Sequence, residues 1–560
     1  MRKFWKAILC ISLTISMLVG CGPTSTDTNT PATEAPTSSV QLPYGERLDY
    51  YQTLGSSPDD NYRTWYQILV YSFCDSNGDG IGDLQGVISK LDYLQELGVT
   101  GIWLMPIHPS DTPHKYNVND YYAIDPSYGT MADFEQLLAE CETRGIKVIM
   151  DLVVNHTGDR HPWFLEAIEY LKCLDYGEEG NTDICPYYEF YDFIRSSETV
   201  GVYGRNFSQI NGTDFCYEYR FTYNMPDLNL DSELVREEIR KIMEFWLNKG
   251  VAGFRVDAAK EFYSGQASKN AEFMSWMQDA AEAIKPDVYM VAEAWVTDIF
   301  TIRQYYQSGF TSVFNFPMGD DVGTLTKTVN SRGNELIVNN WAPALQKCGE
   351  FYSEGNPNYI DAMFTSNHDV GRIYDFCKGD PLRVKLTAGM NLFSGGSAFV
   401  YYGEEIGMPG GTDDADQRAP MYWDDGVQSG GTDPMMDCDL SGRDYPLGSV
   451  ATQIGDTSSV YSYYKECITI RESMPIIARG KNTVETALNV GCIGAIRKTW
   501  NDESCIWLVN INDEPAKVDL SAYSDWQLVV AVSADGNPVV MNGTTLDMAA
   551  YGMAILVPNS

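Results

Sequence analysis

The sequence predicts a (β/α)8 TIM barrel that carries an inserted subdomain after its third strand and an all-β sandwich domain at its C-terminal end. The chain has 560 residues, which is enough for one large domain of roughly 250 residues with attachments. Short apolar segments of strand type alternate with segments of helical periodicity. Eight such strands can be counted along the chain. Repeated strand and helix units favour a parallel sheet that closes into a barrel.

The predicted barrel strands follow one another in a regular order. They cover residues 66–73, 101–105, 146–154, 253–256, 288–292, 313–316, 362–365 and 398–402. Between them, apolar residues recur at helical spacing in residues 87–97, 131–144, 232–248 and 271–284. Gly98 and Gly145 directly follow two of these segments, and glycine is a common helix stop. We therefore assign residues 49–157 and 226–475 to the barrel.

Two segments interrupt the repeat. Residues 158–225 are long, rich in tyrosine and irregular, and we expect an inserted subdomain there. Within it, Cys173 and Cys185 are candidates for a disulfide. Residues 476–560 contain short strand-type segments, which predict an all-β sandwich domain.

The N-terminus resembles the signal peptide of a bacterial lipoprotein. Within residues 1–20, three basic residues precede an apolar stretch that is too short to span a bilayer comfortably. The Leu-Val-Gly sequence before Cys21 resembles a lipobox, so we expect a diacylglycerol on that thiol. Residues 21–48 are rich in Thr, Ser and Pro and predict a flexible tether. The expected location is the cell surface, on the outer face of the cytoplasmic membrane; an ordinary secretory signal with an incidental cysteine is the alternative.

The composition is strongly acidic. The chain has 39 Lys and Arg against 77 Asp and Glu, a formal net charge of −38. Nucleic acid is not expected as a partner, because its phosphates would be repelled. The acidity is consistent with a globular enzyme that takes a neutral or cationic ligand, and we expect a monomer.

Polar residues lie at the ends of four predicted strands. The C-terminal ends of barrel strands are where reacting groups of such enzymes lie. These ends contain Asp151 with Asn155 and His156, Arg255 with Asp257, Glu293 with Trp295, and Asn367 with His368 and Asp369. All five histidines of the chain follow the second, third or seventh strand. We therefore expect the active face at this end of the barrel.

These four strand ends resemble the signature regions of the α-amylase family of glycoside hydrolases, also called glycoside hydrolase family 13. Residues 101–106 (GIWLMP), 225–229 (MPDLN) and 403–407 (GEEIG) match further motifs. The resemblance runs from about residue 66 to the C-terminus. It implies a retaining, endo-acting α-amylase that hydrolyses α-1,4-glucosidic bonds of starch or maltodextrins through a covalent glycosyl-enzyme.

Other activities remain open at this point. Residues 225–229 resemble members intermediate between oligo-1,6-glucosidases and neopullulanases, so an α-glucosidase, an oligo-1,6-glucosidase or a neopullulanase is an alternative. A surface lipoprotein that only binds maltodextrin is the competing class. The three carboxylates at the strand ends argue against it, because a pure binder needs no matched acid and nucleophile.

The resemblance assigns a role to each strand-end carboxylate. Asp257 corresponds to the nucleophile, Glu293 to the general acid and base, and Asp369 to the residue that holds hydroxyls of the distorted sugar. Glycosidic cleavage needs one carboxylate at the anomeric carbon and one protonated carboxyl at the leaving oxygen. Arg255 shares a strand face with Asp257 and can keep it ionised. We expect Asp151, deeper in its strand, to orient Arg255.

The resemblance also implies substrate contacts. His156 and His368 correspond to residues that bind sugar hydroxyls, and Tyr116 to an aromatic platform under the sugar. Lys260 is assigned to the leaving-group side.

A loop after the first strand predicts a calcium site. Residues 75–83 (DSNGDGIGD) crowd carboxylates and an amide into a short turn, which suits a hard cation with oxygen ligands. Position twelve of the run is Gly86 rather than Glu, so an EF-hand is excluded. The run resembles the calcium loop of many family members, which implies the ligands Asp75, Asn77, Asp79, Ile81 (through its carbonyl) and Asp83. A second family calcium site uses an asparagine matching Asn155 and a histidine, but Glu261 stands at the histidine position.

Overall fold

The computed structural model of the chain describes residues 42–199, 204–411, 413–425, 429–440 and 444–559. The predicted signal peptide and Cys21 lie outside the described residues, as does most of the predicted tether. Across the described ranges, no helix is both long enough and apolar enough to pass through a membrane.

The predicted tether extends too far toward the C-terminus. A helix covers Tyr44–Gln52, so it begins before residue 48, where the predicted tether ends. Tyr51 is fully buried, and Arg47 donates to both carboxylate oxygens of Glu466. These contacts attach the segment to the folded chain, which the polar composition of its first residues did not reveal.

Eight parallel strands form the barrel, as predicted. They are Thr64–Ile68, Gly101–Leu104, Lys147–Leu152, Gly253–Val256, Tyr289–Ala292, Ser312–Val313, Ala362–Met363 and Ser397–Tyr401. The first strand pairs with the second and the eighth, and a parallel bridge from Phe314 to Ala362 joins the sixth to the seventh. Residues predicted to extend the first strand instead form a short helix, Val70–Phe73, where the chain leaves the barrel rim.

Helices surround these strands. In the barrel they are Leu84–Ser89, Leu91–Leu97, Met131–Thr143, Glu233–Asn248, Ala267–Ile284, Ile299–Gln307, Thr324–Asn330, Glu335–Gly355, Ile373–Phe376, Pro381–Phe393, Asp414–Gln417, Val450–Gln453 and Val460–Ser473. The predicted helix over residues 87–97 is therefore two helices. The second ends at Gly98, whose φ of 96° is a left-handed conformation that favours glycine. Thr130 and Asp133 form a reciprocal capping box at the start of Met131–Thr143.

The interior of the barrel is filled with aromatic side chains. Trp65, Trp103, Tyr289, Phe314 and Phe399 belong to one buried cluster. The barrel is thus a packed core, and polar groups can gather only at its ends.

The inserted segment has its own small sheet. Helix Pro162–Lys172 is followed by three antiparallel strands, Phe193–Arg195, Asn206–Gln209 and Phe215–Tyr219. The disulfide predicted here is wrong, because Cys173 and Cys185 both carry free thiols. Cys173 is exposed at the end of the helix, whereas Cys185 is buried.

The C-terminal region is all-β, as predicted. A short helix, Pro475–Arg479, leads into it. One antiparallel sheet contains Lys481–Val484, Ile493–Trp500, Glu503–Asn510, Trp526–Ser533 and Gly552–Pro558, and the other contains Ala516–Asp519, Val540–Asn542 and Thr545–Met548. A separate apolar cluster that draws on both sheets forms the core of this region.

Candidate active site

Arg255 lies at the centre of the polar cluster at the barrel's C-terminal face. Its Nη1 is 2.5 Å from Oδ1 of Asp257 and 2.5 Å from Oδ1 of Asp151. Its Nη2 is 3.8 Å from Oε2 of Glu293. Burial alone would lower the pKa of Arg255, but Asp151, Tyr116 and the other acidic groups raise it well above its usual value. One buried cation therefore holds the carboxylates of three strands together.

Glu293 occupies the end of the fifth strand, beside Asp257. Its Oε2 accepts a hydrogen bond of 3.0 Å from the backbone N–H of Ala258. Burial raises the pKa of Glu293 to about 7, with further increases from Asp257 and Asp369 and an opposing effect of Arg255. The carboxyl of Glu293 can therefore hold a proton near neutral pH, which a general acid requires.

Ala258 has an unusual backbone conformation. Its φ of 48° lies in the left-handed region, which costs energy for a residue with a Cβ. This geometry turns its N–H toward Glu293. Strain of this kind often occurs at functional sites.

Asp369 follows the seventh strand and is held from two sides. Its Oδ1 is 2.6 Å from Nη2 of Arg418, and its Oδ2 is 3.0 Å from Nε2 of His368. Burial would raise the pKa of Asp369, but His368 and Arg418 hold it well below its usual range. The side chain keeps a third of its surface exposed, so it can reach a ligand as an anion.

Sequence reasoning missed Arg418. It lies in the loop after the eighth strand, just beyond helix Asp414–Gln417, outside every motif that was recognised. Only its position after a strand end could have signalled it, because basic residues in such loops can face the same cluster.

His368 and Tyr116 form a stacked pair beneath Asp369. Their ring centroids are 5.4 Å apart with an interplanar angle of 11°, and the Tyr116 hydroxyl is 2.7 Å from Nε2 of His368. Burial lowers the pKa of His368, and the neighbouring Asp369 carboxylate opposes this effect. Gln67 lies on the other side of the ring, with its Nε2 2.8 Å from Nδ1 of His368.

His156 and Lys260 differ in how close they come to this cluster. Both ring nitrogens of His156 are buried without a hydrogen-bond partner, which leaves them available to a ligand hydroxyl. Lys260 lies at the rim, with 42% of its side chain exposed. Its Nζ donates to the carbonyl of Trp295 at 3.2 Å. The structure therefore brings His156, but not Lys260, into the buried site.

In the loop of residues 75–83, acidic side chains accept hydrogen bonds from backbone N–H groups of the same segment. Asp75 accepts from the N–H groups of Asn77, Gly78 and Gly80, and Asp83 caps helix Leu84–Ser89 through the N–H of Gly86. Across the described part of the chain, no three His, Cys, Asp or Glu side chains are grouped closely enough to hold a metal. Any calcium here would also need the amide oxygen of Asn77 and the carbonyl of Ile81, which are hard oxygen donors of the kind that calcium prefers.

The position of the second family calcium holds an ion pair instead. Arg220 Nε is 2.7 Å from Oε2 of Glu261, and Asn155 donates to Asp227. A guanidinium thus supplies positive charge between the inserted segment and the barrel at this position.

Comparison with known proteins agrees with this geometry. The family described as "Alpha amylase, catalytic domain" matches residues 67–480. The chain belongs to the α-amylase family. This membership confirms the resemblance that the strand-end motifs indicated.

The relatives of the chain within the family have different names. Alpha-amylase 3 of Dictyoglomus thermophilum is 38% identical over 74% of this chain and 78% of its own length. The oligo-1,6-glucosidase of Bacillus cereus is 28% identical over 83% of this chain and 93% of its own length. Among solved structures, Eubacterium rectale Amy13B is 36% identical and covers 92% of this chain and 99% of its own, with a TM-score of 0.86.

Proposed function

We propose that the chain is a retaining, endo-acting α-amylase that hydrolyses α-1,4-glucosidic bonds of starch and maltodextrins. The observation that carries this proposal is the pair of carboxyls on neighbouring strands. Asp257 forms an ion pair with Arg255, whereas burial keeps a proton available on Glu293. Two carboxyls with different environments are what a double displacement at an anomeric carbon requires.

In the first step, a carboxylate oxygen of Asp257 attacks the anomeric carbon. Glu293 gives its proton to the glycosidic oxygen as the bond from the anomeric carbon to that oxygen breaks. In the second step, the Glu293 carboxylate takes a proton from water, and the water oxygen displaces Asp257 from the anomeric carbon. Two inversions give net retention.

The surrounding residues hold the sugar in this reaction. Asp369, fixed by Arg418 and His368, accepts hydrogen bonds from ring hydroxyls. His156 offers nitrogens that lack a partner in the protein. Tyr116 supports this group from below through its contact with His368.

The proposal also covers a structural metal ion, the oligomeric state and the cellular location of the enzyme. Calcium at Asp75, Asn77, Asp79, Ile81 and Asp83 would fix the loop after the first strand and take no part in the chemistry. A lipid on Cys21 would hold the enzyme, as a monomer, at the outer face of the cytoplasmic membrane, where α-glucans are available outside the cell. The lipobox-like sequence before Cys21 supports this location.

Oligo-1,6-glucosidase activity is the second candidate. Residues 225–229 and the similarity to the Bacillus cereus oligo-1,6-glucosidase favour it. A time course of products from soluble starch and from isomaltotriose separates the two. An endo-acting α-amylase releases mixed maltooligosaccharides of α configuration early and leaves isomaltotriose intact. Release of glucose alone, or rapid cleavage of isomaltotriose, would contradict the proposal.

A further inference from the structure

Gln67 is a buried polar residue that the proposed chemistry does not use. It lies on the first barrel strand and is 1% exposed. Its Nε2 is 2.8 Å from Nδ1 of His368. Gln67 therefore contacts the ring of His368 from inside the barrel, while the opposite nitrogen of that ring faces Asp369.

The partners of that opposite nitrogen determine where the ring proton lies. Nε2 of His368 is 3.0 Å from Oδ2 of Asp369 and 2.7 Å from the hydroxyl of Tyr116. An ionised carboxylate can only accept hydrogen bonds, so Nε2 must carry a hydrogen to satisfy it. A neutral imidazole has a single N–H. Nδ1 is then an acceptor, and the amide N–H of Gln67 is the donor that it needs.

The reversed amide would break this arrangement. With its carbonyl toward Nδ1, Gln67 would draw the ring proton to Nδ1. The lone pair of Nε2 would then face the carboxylate of Asp369 across 3.0 Å. Such a repulsion is costly in a buried site, where charges are poorly screened. The orientation of one amide thus selects between two states of the ring.

We propose that Gln67 is a positioning residue that fixes His368 in its Nε2–H tautomer, so that the ring presents an N–H to Asp369 and to the sugar. The hydrogen-bond partner of one ring nitrogen commonly sets the tautomer of a histidine in this way. Tyr116 completes the network, because its hydroxyl lies 3.3 Å from Oδ2 of Asp151 and can donate to it. The effect on catalysis rests on the proposed function, whereas the tautomer itself does not.

The direct test is ¹⁵N NMR of the full chain labelled at histidine, of which there are five. The His368→Gln variant identifies the signals of His368. At pH 7 we expect Nε2 protonated and Nδ1 unprotonated. A proton on Nδ1 alone, or on both nitrogens, would overturn the proposal. This readout needs no substrate, so an enzyme that shows the expected tautomer but cleaves no glucan would contradict only the proposed function.

Two variants extend the test to catalysis. Gln67→Leu removes the donor, so both tautomers should become populated and kcat/KM should fall about tenfold, mainly through kcat. Gln67→Glu should hold the ring in its doubly protonated form, which keeps the Nε2–H, and should lose less activity than Gln67→Leu.

The matched control is Gln278→Leu, a buried glutamine on helix Ala267–Ile284 that accepts from Thr311. It should keep the wild-type rate and the wild-type signals of His368. If Gln67→Leu kept the wild-type tautomer and kcat, or if the two Gln67 variants gave the same His368 signals, Gln67 would have no positioning role.

Discussion

Two acidic regions of the chain use opposite means to balance their charge. At the strand ends, Arg255 contacts Asp257 and Arg418 contacts Asp369, each at 2.6 Å or less. In the loop of residues 75–83, the carboxylates instead accept hydrogen bonds from backbone and side-chain groups of the same segment. No Lys or Arg in the described ranges forms an ion pair with the carboxylates of that loop.

The difference in charge balance indicates different roles for the two regions. Arg255 and Arg418 keep the strand-end carboxylates in place and set them in unequal environments, which favours acid and base chemistry. Among the described residues, no cationic side chain pairs with the loop carboxylates, and a cation bound there would have a structural role. We therefore expect changes at the strand ends to alter the catalytic rate and changes in the loop to alter stability.

The largest expected effect is that of Asp257→Asn. The amide keeps the size of the side chain but cannot form the glycosyl ester, so kcat on soluble starch should fall by roughly 10³-fold or more. Release of reducing sugar measures it. Asp279→Asn, an exposed position on helix Ala267–Ile284, is the matched control and should keep the wild-type rate. If Asp257→Asn hydrolysed starch at the wild-type rate, Asp257 would not be the nucleophile.

The next effect concerns pH. Glu293 must be protonated in the free enzyme, and its pKa is raised to about 7. The protonated fraction, and with it kcat/KM, should therefore decline as the pH rises through this value. Glu293→Gln should remove this decline and lower kcat on starch by about 10²–10⁴-fold. A substrate with a good leaving group should lose far less activity. If the decline of kcat/KM at alkaline pH persisted in Glu293→Gln, the titrating acid would be a group other than Glu293.

Calcium should change stability rather than rate. A ligand that binds only the folded state at 100 times its Kd contributes about 2.7 kcal/mol to the free energy of unfolding. Chelation should then lower the Tm of the wild type by about 2–5 °C, and Asp75→Asn should abolish this dependence. Asp456→Asn is the control, because Asp456 accepts from Ser458 in a similar turn outside the loop. A Tm that chelator does not move after prolonged incubation would exclude the calcium proposal.

The smallest expected effect is that of Lys260→Ala. Its Nζ contacts Trp295 and Glu261 at the rim of the site, and exposed charges contribute little. KM for long maltooligosaccharides should rise by about twofold to threefold, with kcat unchanged. Initial rates across a series of chain lengths measure it. A large loss of kcat would contradict this peripheral role and indicate that Lys260 acts with the buried residues in the chemical step.

The barrel and much of the polar cluster at its C-terminal face could be predicted from the sequence because both leave local patterns. Strand periodicity gave the eight strands, and motifs at their ends gave Asp257, Glu293 and Asp369. Arg418 and Gln67 were missed, since each contacts His368 or Asp369 only because the fold brings together segments that are distant in sequence. The start of helix Tyr44–Gln52 was also missed, because its first turn is polar and its burial depends on distant residues such as Glu466.

In the proposed mechanism, Asp257 forms a covalent glycosyl-enzyme while Glu293 transfers the proton. Mass spectrometry of the Glu293→Gln variant incubated with α-maltotriosyl fluoride tests it directly, because fluoride leaves without a proton and the slow second step lets the intermediate accumulate. We expect a maltotriosyl adduct on the peptide that contains Asp257, and none in the Asp257→Asn, Glu293→Gln double variant. An adduct on another residue, or hydrolysis with inversion and no adduct, would contradict it.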